Sequence, residues 1–219
     1  MSELEHRVDD LIDAGRVLSR EGLVTAFGHV SCRTSGGRLL ITPPCPLGRL
    51  TPDLDFTELE VDADDLPSGV PREAWIHLAI ARARPDVGAI CRAQPVVATA
   101  LTSADVSIVP LHGQGSYVGS PVAVFDDPAL VRDEARAMRL GAVLGTSSAV
   151  ILRGNGAVTV GANVGEAVAR MWVLEASAQM NSLAAAAGRP TPLSGKEQAA
   201  WLSAESEILG RIWAYLGGL

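Results

Sequence analysis

Two short turns, Ser35-Gly36-Gly37 and Arg153-Gly154-Asn155-Gly156, each sit between two runs of strand-forming residues. They constrain this chain more than any other feature. The first separates HVSCR (29–33) from RLLIT (38–42), and the second separates AVIL (149–152) from AVTV (157–160). Strands joined by so few residues must be antiparallel, because a parallel pair needs a crossover of about a dozen residues or more. Around these hairpins the apolar residues fall at helical spacing. Residues 4–19 place Leu4, Val8, Leu11, Ile12 and Val17 near one face, ending near Gly22. Arg72–Arg84 lies between Pro71 and Pro85, a proline start and a proline stop. Further helices are expected at about Val96–Leu101, Pro128–Leu144, Val164–Ala187 closed by Gly188, and Lys196–Leu216. Further strands are expected at Thr57–Asp62 and Val87–Ala93, and at Val106–Pro110 and Pro121–Phe125 on either side of the loop HGQGSYVG. Hairpins outnumber βαβ units, so the sheet should be mainly antiparallel with helices on both sides.

No internal repeat interrupts this pattern, and GRPTPLSG (188–195) reads as a short linker before a C-terminal helix at 195–216. With 219 residues and 47% apolar content, 1–219 is expected to be a single domain around one sizeable core. The formal net charge is −7, with 18 basic and 25 acidic residues and no basic run. That argues against nucleic acid as a partner, since affinity for a phosphate backbone comes from clustered Lys and Arg. The opening MSELEHRVDD has neither a basic n-region nor an apolar h-region, and no apolar run reaches the roughly 18 residues of a membrane span. Cys32, Cys45 and Cys91 are irregularly spaced, which gives no disulfide framework and no paired zinc motif. A cytoplasmic protein with reduced thiols and no membrane contact is expected. No P-loop, dinucleotide fingerprint or nucleophile elbow is present.

Several segments in order carry a resemblance to a known family: TAFGHVSCR (25–33), LLITPP (39–44), REAWIHLAIARARPDVGAI (72–90), CRAQP (91–95) and LRGNGAVTVGANVGEAVARMWVLE (152–175). Together, over about residues 5–185, they resemble the class II aldolase/adducin family. The resemblance implies a three-layer α/β/α sandwich and a homo-oligomer, usually a tetramer with active sites between subunits. It also implies a divalent metal held by a His-x-His-Pro strand end and by a third histidine in an Arg-Gly-His-Gly turn. Alternate residues of a strand face one side, so two imidazoles converge there, and the third leaves an open catalytic position.

The corresponding residues here are Arg92, Gln94 and Asn155. Arginine stays protonated and has no lone pair to give, and amide oxygens are poor zinc ligands. No metal and no other cofactor is expected, and the alternative left open is a metal at a rebuilt site of His29, Glu73 or His112. Two readings of the exchange are open: a guanidinium replaces the metal as stabiliser of a carboxylate or enolate, or the chain is a non-catalytic binding or scaffold protein. Glu73 matches the family's acid/base glutamate, and its retention favours chemistry.

The sugar-phosphate pocket of the family uses a Gly-Asn pair, a Thr-Pro-Ser-Gly turn and a Ser-Ser pair. Here these are Gly28-His29, Thr42-Pro43-Pro44-Cys45 and Pro71-Arg72. Proline, cysteine and arginine replace hydroxyl donors, which points away from a phosphate and toward carboxylates paired with Arg72 and Arg92. His29 is read as a carboxylate donor or an acid/base near neutral pH. His112, in the glycine-rich loop, is a further substrate-binding candidate, and His77, inside an apolar helix, is read as a core residue. Cys91 should point into the core, away from Arg92. The expectation is a lyase, a decarboxylase or retro-aldolase, for a small carboxylated hydroxy, oxo or hydroxyaromatic acid. Glu73, Arg92, Gln94 and Asn155 are its catalytic candidates, and Gly28, His29, Thr42, Arg72 and His112 its substrate-binding ones.

Overall fold

The structure, a computed structural model, describes residues 2–217. Helix α1 (Glu3–Arg20) starts at a capping box in which Ser2 and Glu5 exchange side-chain-to-backbone hydrogen bonds. There follow β1 (His29–Arg33), β2 (Leu39–Ile41), β3 (Thr57–Leu59), α2 (Ala74–Ala83), β4 (Ala89–Ala93), α3 (Val96–Ser103), β5 (Ala123–Phe125) and α4 (Glu134–Leu144). Strands β6 (Ala149–Leu152) and β7 (Gly156–Gly161) lead into the long α5 (Val164–Ala187), and α6 (Gly195–Leu202) and α7 (Glu205–Gly217) complete the described chain. The sheet runs β3-β2-β1-β4-β7-β6-β5. Every neighbouring pair is antiparallel except β5 and β6, which makes one edge mixed.

Alternation along the strands divides the interior into two cores. Val30, Cys32, Leu40, Cys91, Ala93, Ile151 and Ala157 face α1, α5 and α7. Leu39, Ile41, Ile90, Val150, Val158 and Val160 face α2 and α4. A strand period of two sends neighbours to opposite faces, and a sheet apolar on both faces must be covered on both. The result is the three-layer α/β/α sandwich that the resemblance implies. Cys91 is buried in the first core, on the face opposite Arg92, and burial pushes its thiol up to about 12.

Three expectations fail. The helix expected at Pro128–Leu144 starts only at Glu134, behind the Asp133 N-cap, and leaves 128–133 as loop. Val106–Pro110 is no strand: Val109 trades hydrogen bonds with the Asn181 side chain on α5, and Ile108 accepts from the Val122 N–H. Lys196–Leu216 is two helices instead of one, broken at Ser203–Ala204. The break serves two separate contacts. Trp201 of α6 lies so close over Gly113 that a Cβ there would run into the indole, and Trp213 of α7 covers Gly165, where a Cβ would stand 2.7 Å from its ring. The Arg170–Glu205 ion pair (2.9 Å) anchors the start of α7. No helix among the described residues is long and apolar enough to cross a membrane.

Candidate active site

The central strands bring distant residues to one edge of the sheet. His29 at the start of β1 stands directly opposite Arg92 near the end of β4, and opposed residues of an antiparallel pair project to one face. Ala93 pairs in turn with Ala157, so the β6–β7 turn carries Asn155 to the same end. Glycine is required there. At Gly156 φ is +108°, and a Cβ would collide with the Ala93 oxygen and lie 2.7 Å from Arg92 Nη1. Glu73 immediately precedes α2 but caps nothing with its side chain, which turns to the sheet edge instead.

Arg92 is the buried centre of the cluster, with its side chain 3% exposed. Its Nη2 lies 3.3 Å from Glu73 Oε2 and donates to the Asn155 carbonyl at 2.7 Å, while Nη1 donates to the Ala93 carbonyl at 2.6 Å. Its Nε has no partner among the described residues. Glu73 Oε1 accepts from the Val131 N–H at 3.2 Å and, at the longer 3.4 Å, from Asn155 Nδ2. His29 Nε2 stands 3.9 Å from Glu73 Oε2. Burial pushes the Glu73 carboxyl up, but His29, the Arg92 charge and the Val131 N–H outweigh it and hold the group at about 2. Burial also lowers His29 and His77, and the neighbouring guanidinium lowers both further, so both rings are neutral at neutral pH. Burial lowers the Arg92 pKa too, without threatening its charge.

These groups open onto a cleft of about 460 Å³. Glu73, Arg92, Gln94, Asn155, Gly28, His29 and Arg72 all line it. Thr42 and His112 do not. Thr42 is fully buried, its hydroxyl accepting from the Val30 N–H at 3.2 Å. His112 Nε2 instead lies 2.9 Å from Ser177 Oγ on α5. The cleft also has walls that the sequence reading did not single out: Arg132, Phe27 and Leu130. Arg72 and Arg132 are exposed and form no ion pair among the described residues. His77 is buried, as expected of a core residue, yet its ring lies 2.6 Å from His29 Nδ1. Its spacing four residues after Glu73, on the same side of α2, was the available signal. A second hollow of about 350 Å³, walled by Trp172, Trp201 and Tyr215, contains Arg211 as its one charged side chain and no carboxylate or imidazole.

The donor set does not fit a divalent metal. A guanidinium paired with Glu73 lies where the resemblance places the first imidazole, and it repels a cation instead of binding it. Among the described residues no group of three or more His, Cys, Asp or Glu converges on a common point.

Comparison with known proteins agrees with the fold. The family model described as Class II Aldolase and Adducin N-terminal domain matches residues 9–182. The chain is 30% identical over 204 residues to a 3,4-dihydroxyphthalate decarboxylase of Terrabacter sp. (strain DBF63), covering 86% of this chain and 85% of that protein. It is 29% identical over 194 residues to a 3,4-dihydroxyphthalate decarboxylase of Arthrobacter keyseri, covering 80% of this chain and 77% of that one. Among solved structures, the L-fuculose-1-phosphate aldolase from Thermus thermophilus superposes with a TM-score of 0.74 at 31% identity, over 85% of this chain and 100% of that one. Decarboxylases and aldolases alike break a carbon–carbon bond, and the chain, a carbon–carbon lyase, belongs to the class II aldolase and adducin N-terminal domain family.

Proposed function

We propose that this lyase decarboxylates a hydroxylated aromatic dicarboxylate of the kind named in its 3,4-dihydroxyphthalate decarboxylase relatives. The observation that carries the reading is the charge balance of the cleft. Three guanidinium groups, on Arg72, Arg92 and Arg132, face the single Glu73 carboxylate, in a protein whose formal net charge is −7. The surplus of two positive charges matches a dianion, and two of the arginines are free to take carboxylates bidentately. Phe27, Leu130 and Pro44 supply apolar surface for a flat ring.

The chemistry follows from the Glu73–Arg92 pair. At rest Glu73 is ionised. A bound dianion competes for Arg92 and adds negative charge beside Glu73, and both effects raise its pKa, so a proton is taken up with the substrate. Glu73 then protonates the ring carbon that bears the departing carboxylate, and the electrons of the new C–H bond come from the hydroxyl-activated ring. The C–C bond breaks, its electron pair restores the aromatic ring, and CO2 leaves. Glu73 is again a carboxylate paired with Arg92. Arg92 and Asn155 hold the substrate's carboxylate and ring oxygens so that the carbon to be protonated lies against Glu73. Gln94 supplies a neutral hydrogen-bonding group on the same wall. No step runs through a metal. A cytoplasmic homo-oligomer, tetrameric as in the family, is part of the same proposal.

The test is loss of 3,4-dihydroxyphthalate and release of CO2 by the purified chain, with and without a chelator. Turnover is expected to survive chelation and to fall at least about a hundredfold in Glu73→Gln. Turnover abolished by chelator would overturn the metal-free mechanism, and an unimpaired Glu73→Gln would overturn the proton-transfer role.

A further inference from the structure

Behind Glu73 lies a line of buried polar groups that the proposed steps leave unused. His29 Nδ1 is 2.6 Å from His77 Nε2, and His77 Nδ1 is 2.6 Å from Ser31 Oγ. His77 and Ser31 are fully buried and His29 is nearly so. The sheet register explains the arrangement: Ser31 and His29 alternate along β1 on the face that α2 covers, and His77 is the α2 residue between them. At the cleft end His29 Nε2 faces Glu73, and Arg92 is the other charged group beside it.

A neutral imidazole carries one N–H and one bare nitrogen, so two neutral rings in series have coupled tautomers. Either both carry the proton on Nε2, and the line donates toward the cleft, or both carry it on Nδ1, and the line donates toward Ser31. Both ends select the first arrangement. Ionised Glu73 accepts only, and its negative charge favours an N–H on the nitrogen that faces it. The Ser31 hydroxyl has no hydrogen-bond partner but His77 among the described residues. If it accepted from His77, its own O–H would be buried without an acceptor. The line therefore runs from the Ser31 hydroxyl to His77 Nδ1, then from His77 Nε2–H to His29 Nδ1, and leaves His29 with its proton on Nε2. Ser31 ends inside the core, so the line has no outlet to solvent and does not conduct protons.

We propose that Ser31 and His77 are positioning residues that lock His29 as a neutral Nε2–H donor, held ready for a carboxylate oxygen of the substrate. Of the two roles the sequence leaves open for His29, this one is binding, and proton transfer stays with Glu73. A donor fixed before the ligand arrives costs nothing to orient at binding, the same use of an orienting partner that sets histidine tautomers at metal and catalytic sites. The lock rests on the hydrogen-bond geometry and on the burial that keeps both rings neutral, whereas the carboxylate rests on the dicarboxylate reading above.

The lock is tested in the unmodified protein by long-range proton–nitrogen correlation spectra of the histidine rings, recorded from mildly acidic to neutral pH. At neutral pH His29 and His77 should each show a protonated Nε2 and a bare Nδ1. A bare Nε2 with a protonated Nδ1 on either ring would overturn the lock. Phthalate is the binding probe. Its saturation should move the His29 Nε2–H resonance downfield. Its Kd should weaken about tenfold in His77→Leu but no more than about threefold in His77→Gln, whose amide can still donate to His29 Nδ1. Equal weakening in both variants, or none in either, would overturn the positioning role. Tautomers as stated with no phthalate binding to the unmodified protein would leave the lock standing and remove both the carboxylate role and the dicarboxylate reading.

Discussion

Replacing Glu73 by glutamine removes one charge from the most buried ion pair of the cleft and changes little in shape. Holding the carboxyl at about 2 instead of its ordinary 4.5 favours the ionised form by about 3 kcal/mol, at about 1.4 kcal/mol per pKa unit. The side chain is only 16% exposed, so solvent screening takes little from this figure. The folded-state pKa is depressed. The stability is therefore fully present above about pH 4.5 and is lost as pH falls through about 2. At neutral pH Glu73→Gln should cost about 3 kcal/mol, of the size expected when a buried guanidinium loses its partner. Urea unfolding of both proteins at a series of pH values measures the difference directly. The gap should be constant from neutral pH down to about 5 and should then close toward pH 2, because the unfolded carboxyl takes up its proton while the native one is still ionised. The double variant Glu73→Gln/Arg92→Met should recover most of the loss, because no unpaired buried charge remains. A gap that stays constant into the acid range, or no gap at neutral pH, would refute the account of the Glu73–Arg92 pair.

Three further outcomes follow from the same geometry. Arg72→Gln and Arg132→Gln should each raise KM for an aromatic dicarboxylate about tenfold with little change in kcat, and in both the salt dependence of KM should be weaker than in the unmodified protein. Phthalate binding should take up protons, more in mildly acidic than in neutral buffer, as read from calorimetry in buffers of different ionisation enthalpy. Zero uptake throughout would mean that Glu73 keeps its charge beside the ligand. Gly156→Ala should destabilise the fold by about 2–3 kcal/mol in urea unfolding, since both the left-handed φ and the contact with the Ala93 oxygen oppose a Cβ.

What the chain determines by itself is local. Ser35-Gly36-Gly37 and Arg153-Gly154-Asn155-Gly156, set between strand-forming runs, specify hairpins, and Pro71 and Pro85 bracket α2 through their own backbone geometry. The family resemblance named seven of the residues that line the cleft, including Arg92 in place of a metal ligand. Tertiary structure decided which groups meet. Val106–Pro110 has a strand's composition, but a strand is defined by a partner, and its partner is a side chain of α5. The last helix breaks because Trp201 and Trp213 must cover two different glycines. Thr42 spends its hydroxyl on the β1 backbone, and His112 turns to Ser177. Arg132 and Val131 come from a loop with no motif of its own, yet both reach the cluster because α4 packs on α2. His29, Glu73, His77, Arg92 and Asn155 are scattered over more than half of the chain. A one-residue slip of β1 on β4 would send His29 to the opposite face of the sheet, so it is the register that joins them.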